Sequence, residues 1–490
     1  MADAKIQYLV RQRKPEAIMP RVATFEPGTL GQIQSRTDTV EWALFWVFVV
    51  GLASVPSWYG SNLPVAWGIN AVLFPGLAVI YEISLLVRGA SHPVAIKTIR
   101  VSAALFVAVV ILILVQDATW TPSWLHHPIW GMAADALQTS VDGSISVNRD
   151  LTTLALLRLI TAASVFWLAI QLCRNESRAI RFMMAFVAIS ACYAAYGLIA
   201  FAWARLEDPA PRSFVTSTFY NHNHYATYAG MGLVAAFGLI ARIYQREMVT
   251  DAGSLRFRIS TFIDATGRAL VLLGSAFLIL VVVTLTQSRG GIIATALGII
   301  VWGTLTFGRA GAASIERRMI MIFGSVLVAG VFAAFGDTFF SKLAEAGLTD
   351  SNRLDVYVIT LRSILDAPLL GYGYGTFADI FPMFRDRSID VFGIWNQAHN
   401  TYLEAFQGLG LIFGSMLVAS VVLLVWKCCK GAIARQQITV PCIAAGVAFL
   451  VGVHALVDFS LQIQAVTLTF MAILGAGVAQ SVSSQITVSD

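Results

Sequence analysis

The segment "VSAALFVAVVILILV", Val101–Val115, decides the class of fold, because it is apolar throughout and carries no charge. Runs of about 20 such residues recur along the chain, and a helix of that length crosses a hydrocarbon core of about 30 Å. Of the 490 residues, 57% are hydrophobic and 12% are charged, about half the charged fraction of soluble domains. The runs lack the alternation of membrane β-strands, and lipid offers no partner for backbone polar groups. The sequence therefore predicts a polytopic, all-α membrane protein.

About twelve candidate transmembrane helices account for these runs. They cover residues 40–58, 63–87, 98–116, 151–172, 180–203, 224–244, 269–286, 290–307, 319–336, 399–426, 440–457 and 461–480. Residues 1–39 are interpreted as a polar cytoplasmic tail, and residues 40–490 as a single transmembrane domain. No apolar segment with a cleavage site precedes the first span, so no cleaved signal peptide is expected.

The connections between spans predict the orientation, because Lys and Arg concentrate in cytoplasmic loops. Every second connection is basic, which places both termini in the cytoplasm and segments 117–150 and 337–398 on the outer face. The second segment is the longest loop, and a loop of that length is more often functional than a mere connector. Within it, an amphipathic helix headed by Arg353 and ended by Pro368 is expected.

Arginines on the outer face depart from this charge rule, and Arg289 is the sharpest case. In "LTQSRGGIIA", Leu285–Ala294, it occupies a tight outer turn before Gly290 and Gly291. One interpretation is that Arg289 faces a cavity and holds an anion, since a guanidinium presents a planar fork that suits phosphate oxygens. The other is an arginine that extends to the lipid headgroups. The paired glycines allow a close backbone approach.

The segment "YNHNHY", Tyr220–Tyr225, places four adjacent hydrogen-bonding side chains directly before a span. They are either helix caps and interface residues or contacts to a substrate. His222 and His224 lack the i, i+4 spacing of helical metal ligands, and no outer carboxylate motif completes a site, so no metal is predicted. The five cysteines also lack metal-site spacing.

Two further segments each allow a functional and a structural interpretation. Glycines and tyrosines alternate in "GYGYG", Gly371–Gly375, which suits either a ligand-binding loop or a tight return turn. "HALVDFSLQI", His454–Ile463, places His454 and Asp458 at i, i+4, on one face of a predicted helix. That pair can orient an imidazole, or it can be a structural contact between helices.

Taken together, these motifs resemble the bacterial O-antigen ligase and polysaccharide polymerase superfamily. The resemblance rests on "FYNHNH" (219–224), "SRGG" (288–291), "PLLGYGYGTF" (368–377), "HNTYLE" (399–404) and the terminal "HALVDFSLQI". It implies a GT-C type glycosyltransferase of the inner membrane with its active site in the periplasm. Such enzymes move a glycan from undecaprenyl diphosphate to an acceptor hydroxyl.

The resemblance also assigns roles to residues of this chain. Arg289, Arg353 and His399 match the catalytic Arg, Arg and His of O-antigen ligases. Guanidinium groups stabilise charge that builds on a leaving diphosphate, and a neutral imidazole can take the proton of the acceptor hydroxyl. Expected substrate contacts are Arg212, Asn221, His222, Asn223, His224, Asn400 and Tyr402. Arginines supply the charge, so neither a metal nor a cofactor is expected.

The expected partners are the lipid-linked donor, a glycan or lipid A-core acceptor, and membrane lipids, with no nucleic acid. Motifs do not separate a ligase from a polymerase of exopolysaccharide or O-antigen repeat units, although the Arg, Arg and His set favours the ligase. A transporter or flippase is the alternative from another class. It would need ionisable groups inside the spans, and the sequence offers few beyond Glu82, Arg158 and Glu404.

Overall fold

The computed structural model describes residues 27–207, 213–247, 255–308, 351–389, 394–434 and 438–482. Over these ranges the protein is all-helical, and no β-strand occurs in them. The chain forms two compact units, residues 1–44 and 45–490. The division into a cytoplasmic tail and one transmembrane domain at residue 39 stays a prediction.

Fourteen α-helices lie in the part of the chain that the structure describes. They are α1 (Pro27–Ser54), α2 (Pro64–Arg88), α3 (Arg100–Asp117), α4 (Ile129–Leu137), α5 (Arg149–Leu172), α6 (Glu176–Glu207), α7 (His222–Glu247), α8 (Leu255–Leu285), α9 (Arg289–Phe307), α10 (Ser351–Asp366), α11 (Phe377–Phe384), α12 (Thr401–Ala434), α13 (Thr439–His454) and α14 (Gln464–Ser481).

Ten helical segments among these residues are long and apolar enough to cross a membrane, and α13 is a shorter apolar helix. The prediction of a multi-pass helical bundle is therefore confirmed. The closely spaced pair 269–286 and 290–307 forms two separate helices, α8 and α9. The predicted span 319–336 lies outside the described residues. The expected helix in the longest loop is α10, which ends at Asp366, before Pro368.

Helices α7 and α14 lie at the centre of the bundle. In each of them 83% of the apolar stretch that could cross the membrane is buried, against 28% in α2. Loop hydrogen bonds show which helix ends share one face. Thr401 N donates to Ala455 O at 2.9 Å, and Val215 N donates to Leu285 O at 3.0 Å. The start of α9 lies against the end of α13, because a Cβ at Gly290 would lie 3.1 Å from His454 Nε2. The starts of α7, α9, α12 and α14 therefore lie at the same end as the ends of α8 and α13. We call this end of the bundle the site end.

Helix α12 is broken near its start, at Gly410, whose φ of 72° and ψ of 173° are not helical. The break frees backbone groups that a continuous helix would pair. The returning loop supplies the partners, because Tyr372 N donates to Gln407 O at 3.1 Å and Gly373 N donates to Gly408 O at 3.2 Å. Backbone groups at membrane depth need such partners, because lipid provides none.

The alternation of glycine and tyrosine in residues 371–375 has a structural explanation here. A Cβ at Gly371 would lie 2.5 Å from Gly408 O, and one at Gly373 would lie 2.3 Å from Ser146 Oγ. Gln116 anchors the same contact, because its Nε2 donates to Gly408 O at 2.7 Å and to Leu370 O at 2.5 Å. Of the two alternatives left by the sequence, the structure favours the tight return turn.

We expect the Gly410→Ala variant to be destabilised by about 1–3 kcal/mol or more, because its backbone conformation belongs to a region that only glycine adopts readily. The added Cβ would also lie 2.4 Å from Leu369 O. The measurement is the apparent midpoint of thermal unfolding in detergent. Gly303→Ala on α9 is the control, since a Cβ there meets no atom within 4 Å. Equal midpoints for the two variants would contradict this account of the break.

Candidate active site

A buried carboxylate, Asp458, lies between two imidazoles at the site end. Its side chain is only 1% exposed. Asp458 Oδ1 is 3.9 Å from His399 Nδ1, and Asp458 Oδ2 is 3.6 Å from His224 Nε2. The hydroxyl of Ser460 donates a hydrogen bond to Oδ2. Three segments that are far apart in the chain therefore meet at one carboxylate.

The surroundings of Asp458 favour the charged form of its carboxyl. Burial raises the pKa of its carboxyl, but the imidazoles of His224 and His399 and the Ser460 hydroxyl outweigh burial, so the pKa lies below its ordinary value. A carboxylate orients an imidazole by attracting the N–H group of the nearer ring nitrogen. His399 Nδ1 is that nitrogen, and the opposite nitrogen, Nε2, is then left as the basic one.

His399 and Asp458 face each other without forming a hydrogen bond. A distance of 3.9 Å is too long for a hydrogen bond, and neither His399 Nδ1 nor Asp458 Oδ1 has another partner among the described residues. Catalytic hydrogen bonds are often long in the absence of substrate and shorten when it binds. The side chain of His399 is 21% exposed, so the pair joins a buried charge to a ring that a substrate can reach.

Aromatic rings hold the two imidazoles in place. The Phe459 ring lies edge-on to both, with centroids 4.5 Å from His224 and 4.8 Å from His399. Trp395 packs on His399 from another side at 5.7 Å. Because packing already holds the imidazoles in one position, less conformational entropy is lost when the reactive geometry is reached.

The backbone of His399 is strained, with a positive φ of 55°. Its neighbours fix it there. Asn400 Oδ1 accepts from Tyr402 N at 3.0 Å and Leu403 N at 3.1 Å, which makes Asn400 the N-cap of α12. Tyr357 Oη donates to His399 O at 2.9 Å. Strain of this size persists only where the surroundings impose it, and it is commonest at functional sites.

Asn400 and Tyr402 were expected to contact substrate, and the structure shows what they contact within the protein. Asn400 Nδ2 donates to Leu456 O at 2.9 Å, and Tyr402 Oη donates to Gly452 O at 2.8 Å. Both side chains thus tie the start of α12 to the end of α13. Their roles toward a substrate stay predictions.

Arg353 and the start of α9 reach the same place. Arg353 Nη1 donates to Val457 O at 2.9 Å, directly before Asp458. Arg289 is the first residue of α9, whose N-cap Ser288 accepts from Gly291 N at 3.1 Å. A Cβ at Gly290 would lie 3.1 Å from both His454 Nε2 and Val457 Cγ2. The close approach expected for the paired glycines is therefore made to the segment that carries Asp458.

The members of the "YNHNHY" cluster have different contacts. Only His224 faces Asp458. His222 Nδ1 donates to Thr286 O at 2.7 Å, and its ring lies 4.3 Å from that of Phe214. Asn221 Oδ1 accepts from Asn223 N at 2.8 Å, a local turn at the start of α7. Arg212, which was also expected to contact the substrate, lies outside the described residues.

The placement of His454 and Asp458 on one helix face is wrong. Helix α13 ends at His454, and Asp458 follows in the loop before α14. His454 Nδ1 instead lies 2.5 Å from Thr227 Oγ1, which donates to Ser460 Oγ at 3.0 Å, and Ser460 donates to Asp458. His454 therefore reaches the carboxylate through two hydroxyls. The sequence singled out Asp458 through its i, i+4 spacing from His454 but did not indicate His399 as its neighbour.

A cavity of about 650 Å³ lies beside this cluster, between α3, α5, α12, α13 and α14. Its walls are mostly apolar, and on α5 they run from Ala155 to Trp167, about 18 Å along the helix axis. Polar lining groups include Arg158, Thr401, Glu404, Gln462 and Gln464. Thr401 lies two residues beyond His399, so the cavity extends to the site end.

The family model described as O-antigen ligase matches residues 274–418. No curated protein matches the chain. The matched range contains Arg289, Arg353 and His399, while His224 and Asp458 lie on either side of it in the sequence. The match confirms the resemblance on which the sequence motifs were interpreted.

Proposed function

We propose that this multi-pass membrane protein, which carries an O-antigen ligase domain at residues 274–418, is a glycosyltransferase of the bacterial inner membrane. It transfers a glycan from undecaprenyl diphosphate to an acceptor hydroxyl at the periplasmic face. The observation that carries the proposal is the pairing of His399 with the buried carboxylate of Asp458 beside Arg353 and the start of α9. The O-antigen ligase family implies a glycan and a lipid-linked substrate.

His399 acts as the general base. As the acceptor oxygen bonds to the anomeric carbon, His399 Nε2 takes the hydroxyl proton, and the bond from that carbon to the diphosphate oxygen breaks. The imidazole becomes positively charged, and Asp458, 3.9 Å from Nδ1, stabilises it. The acceptor hydroxyl, His399 and Asp458 thus take the roles of nucleophile, general base and orienting carboxylate that the members of a catalytic triad take. The proton then leaves to solvent or to the released diphosphate.

Arg289 and Arg353 act on the diphosphate. Negative charge grows on its oxygens as the glycosidic bond breaks, so cations placed in advance stabilise the transition state more than the bound donor. The N-terminus of α9 adds to this, because the helix dipole favours an anion there. Since guanidinium groups carry this charge, the reaction needs no divalent metal, and transfer should persist in EDTA.

The cavity supports a donor that is carried on a lipid. Its volume of about 650 Å³ falls within the range of ligand pockets, about 300–1,000 Å³, and its walls are apolar. A hydrocarbon chain in this cavity brings its headgroup to the site end, where Thr401 lies two residues beyond His399. The donor's isoprenoid tail is the part of the substrate that fits such walls.

Deleting the protein from its host tests the function through the lipid-linked glycan that accumulates. Long periplasmic chains on the carrier are expected, because a ligase consumes finished glycan. Single periplasmic repeat units would instead identify a polymerase, the second candidate within the family. A lipid-linked glycan that stays on the cytoplasmic side would identify a flippase and overturn the proposal.

A further inference from the structure

Glu404 touches both segments that carry the proposed catalytic pair. Its Oε1 accepts the backbone N–H of Ala398 at 2.7 Å, directly before His399. Its Oε2 accepts from Gln462 Nε2 at 2.9 Å, in the 3-10 turn that follows Asp458. One carboxylate therefore joins the loop of His399 to the loop of Asp458, and both of its oxygens are used.

The first of these bonds acts where the backbone needs support. Ala398 is fully buried, and the next residue, His399, has the positive φ of 55°. The hydrogen bond to Ala398 N fixes the plane of the peptide bond that enters Ala398, one residue before His399. Without an acceptor, that buried N–H would lose the free energy of its hydrogen bond, and the strained conformation would lose a support.

The second bond continues into a network behind the site. Gln462 Oε1 accepts from Thr401 Oγ1 at 3.0 Å, and the guanidinium of Arg158 on α5 donates to Gln462 O. Arg158 also lies over the Trp67 ring, 4.4 Å from its centroid. Side chains of α5 and α12 thus bind Gln462 directly, and Trp67 on α2 packs on Arg158 of α5. Because Glu404 binds both Gln462 and Ala398, it fixes the loop of His399 relative to these helices.

We propose that Glu404 is a positioning residue, whose two hydrogen bonds set the separation between His399 and Asp458 and so the efficiency of proton transfer. The inference rests on the proposed function, because it takes His399 as the base. Glu404 also lines the apolar cavity, but both of its oxygens are bound within the protein. Replacing it with leucine keeps that wall apolar, so kcat should fall while KM stays nearly unchanged.

The test compares Glu404→Leu with Glu404→Gln in the full chain. Leucine offers no acceptor, so both bonds are lost, and we expect kcat to fall about 10- to 100-fold, the usual effect of misplacing a reacting group by about 1 Å. Glutamine still accepts from Ala398. Its Nε2 can donate to Gln462 if the Gln462 amide flips, because the Thr401 hydroxyl can then accept in place of donating. Its kcat should stay within about threefold of the original.

The assay uses reconstituted enzyme, undecaprenyl diphosphate-linked glycan and a lipid A-core acceptor. Rates are expressed per folded protein, with the thermal midpoint of each variant measured beside them. Glu82→Leu is the matched control. Glu82 is also a carboxylate on a membrane-spanning helix, where it accepts from Trp167 Nε1 at 2.6 Å, and that variant should keep its kcat.

Each outcome decides between positioning and other roles. An unchanged kcat in Glu404→Leu overturns the inference, and so does an equal loss in Glu404→Leu and Glu404→Gln, which would assign the effect to the charge. A rise in KM alone would make Glu404 a binding residue and also overturn it. The His399→Ala variant separates the two proposals. If it remains active, the proposed base is wrong; if it is inactive while Glu404→Leu is fully active, only this inference fails.

Discussion

Replacing His399 with alanine lowers kcat for glycan transfer by about 10²- to 10⁴-fold, the usual contribution of a positioned general base. The variant removes the only part of the His399 and Asp458 pair that is exposed, at 21%. The measurement is transfer from undecaprenyl diphosphate-linked glycan in membranes, with KM determined beside kcat. Glycan display at the cell surface gives a second reading in vivo.

His92→Ala is the matched control for this loss. His92 also pairs with a carboxylate, since its Nε2 is 2.8 Å from Glu82 Oε2, but the pair is exposed and lies away from the site end. The control should transfer glycan at the original rate. A His399→Ala protein that is present in the membrane and displays a normal amount of glycan would remove His399 from the mechanism.

Replacing Arg289 with alanine lowers kcat/KM by about 10²- to 10³-fold, as the loss of one donor to a developing oxyanion does elsewhere. The cause is weaker stabilisation of the diphosphate as it leaves. Arg289→Lys separates the two interpretations of this arginine. A lysine extends to lipid headgroups as well as an arginine does, but it does not reproduce the planar fork. We expect Arg289→Lys to recover only part of the activity.

Arg205→Ala is the control for the arginine variants. Arg205 lies near the end of α6 at the site end, over the Phe201 ring at 4.4 Å from its centroid. Its loss should leave kcat/KM unchanged. Full activity in Arg289→Lys would favour an arginine that serves the membrane interface, and full activity in Arg289→Ala would exclude it from diphosphate stabilisation.

Much of the helical architecture could be predicted because a span is a local property of the chain. The run at Val101–Val115 and its counterparts follow from length and composition, and they correspond to helices wherever the structure describes them. Arg289, Arg353 and His399 were found through short motifs. In the structure His399, Arg353 and the start of α9 lie against the segment around Asp458, a proximity that a pattern within one segment does not contain.

The remaining features depend on contacts between distant segments. The i, i+4 pattern indicated His454 as the partner of Asp458, but α13 ends at His454, and the carboxylate turns toward His399 and His224 instead. The break at Gly410 was also missed. An apolar, glycine-containing run reads as one continuous helix until the loop at residues 368–373 is seen against it.

The break at Gly410 also sets an order of events during biosynthesis. The segment from Thr401 to Leu409 leaves the carbonyls of Gln407 and Gly408 unpaired until Tyr372 and Gly373 arrive, and hydrocarbon offers no substitute. Those loop residues are made before α12, so they are already available when it enters the bilayer. The carbonyls of α12 can therefore be paired as this helix inserts, whereas the site is completed only later, because Asp458 follows α12 in the sequence and is made after it.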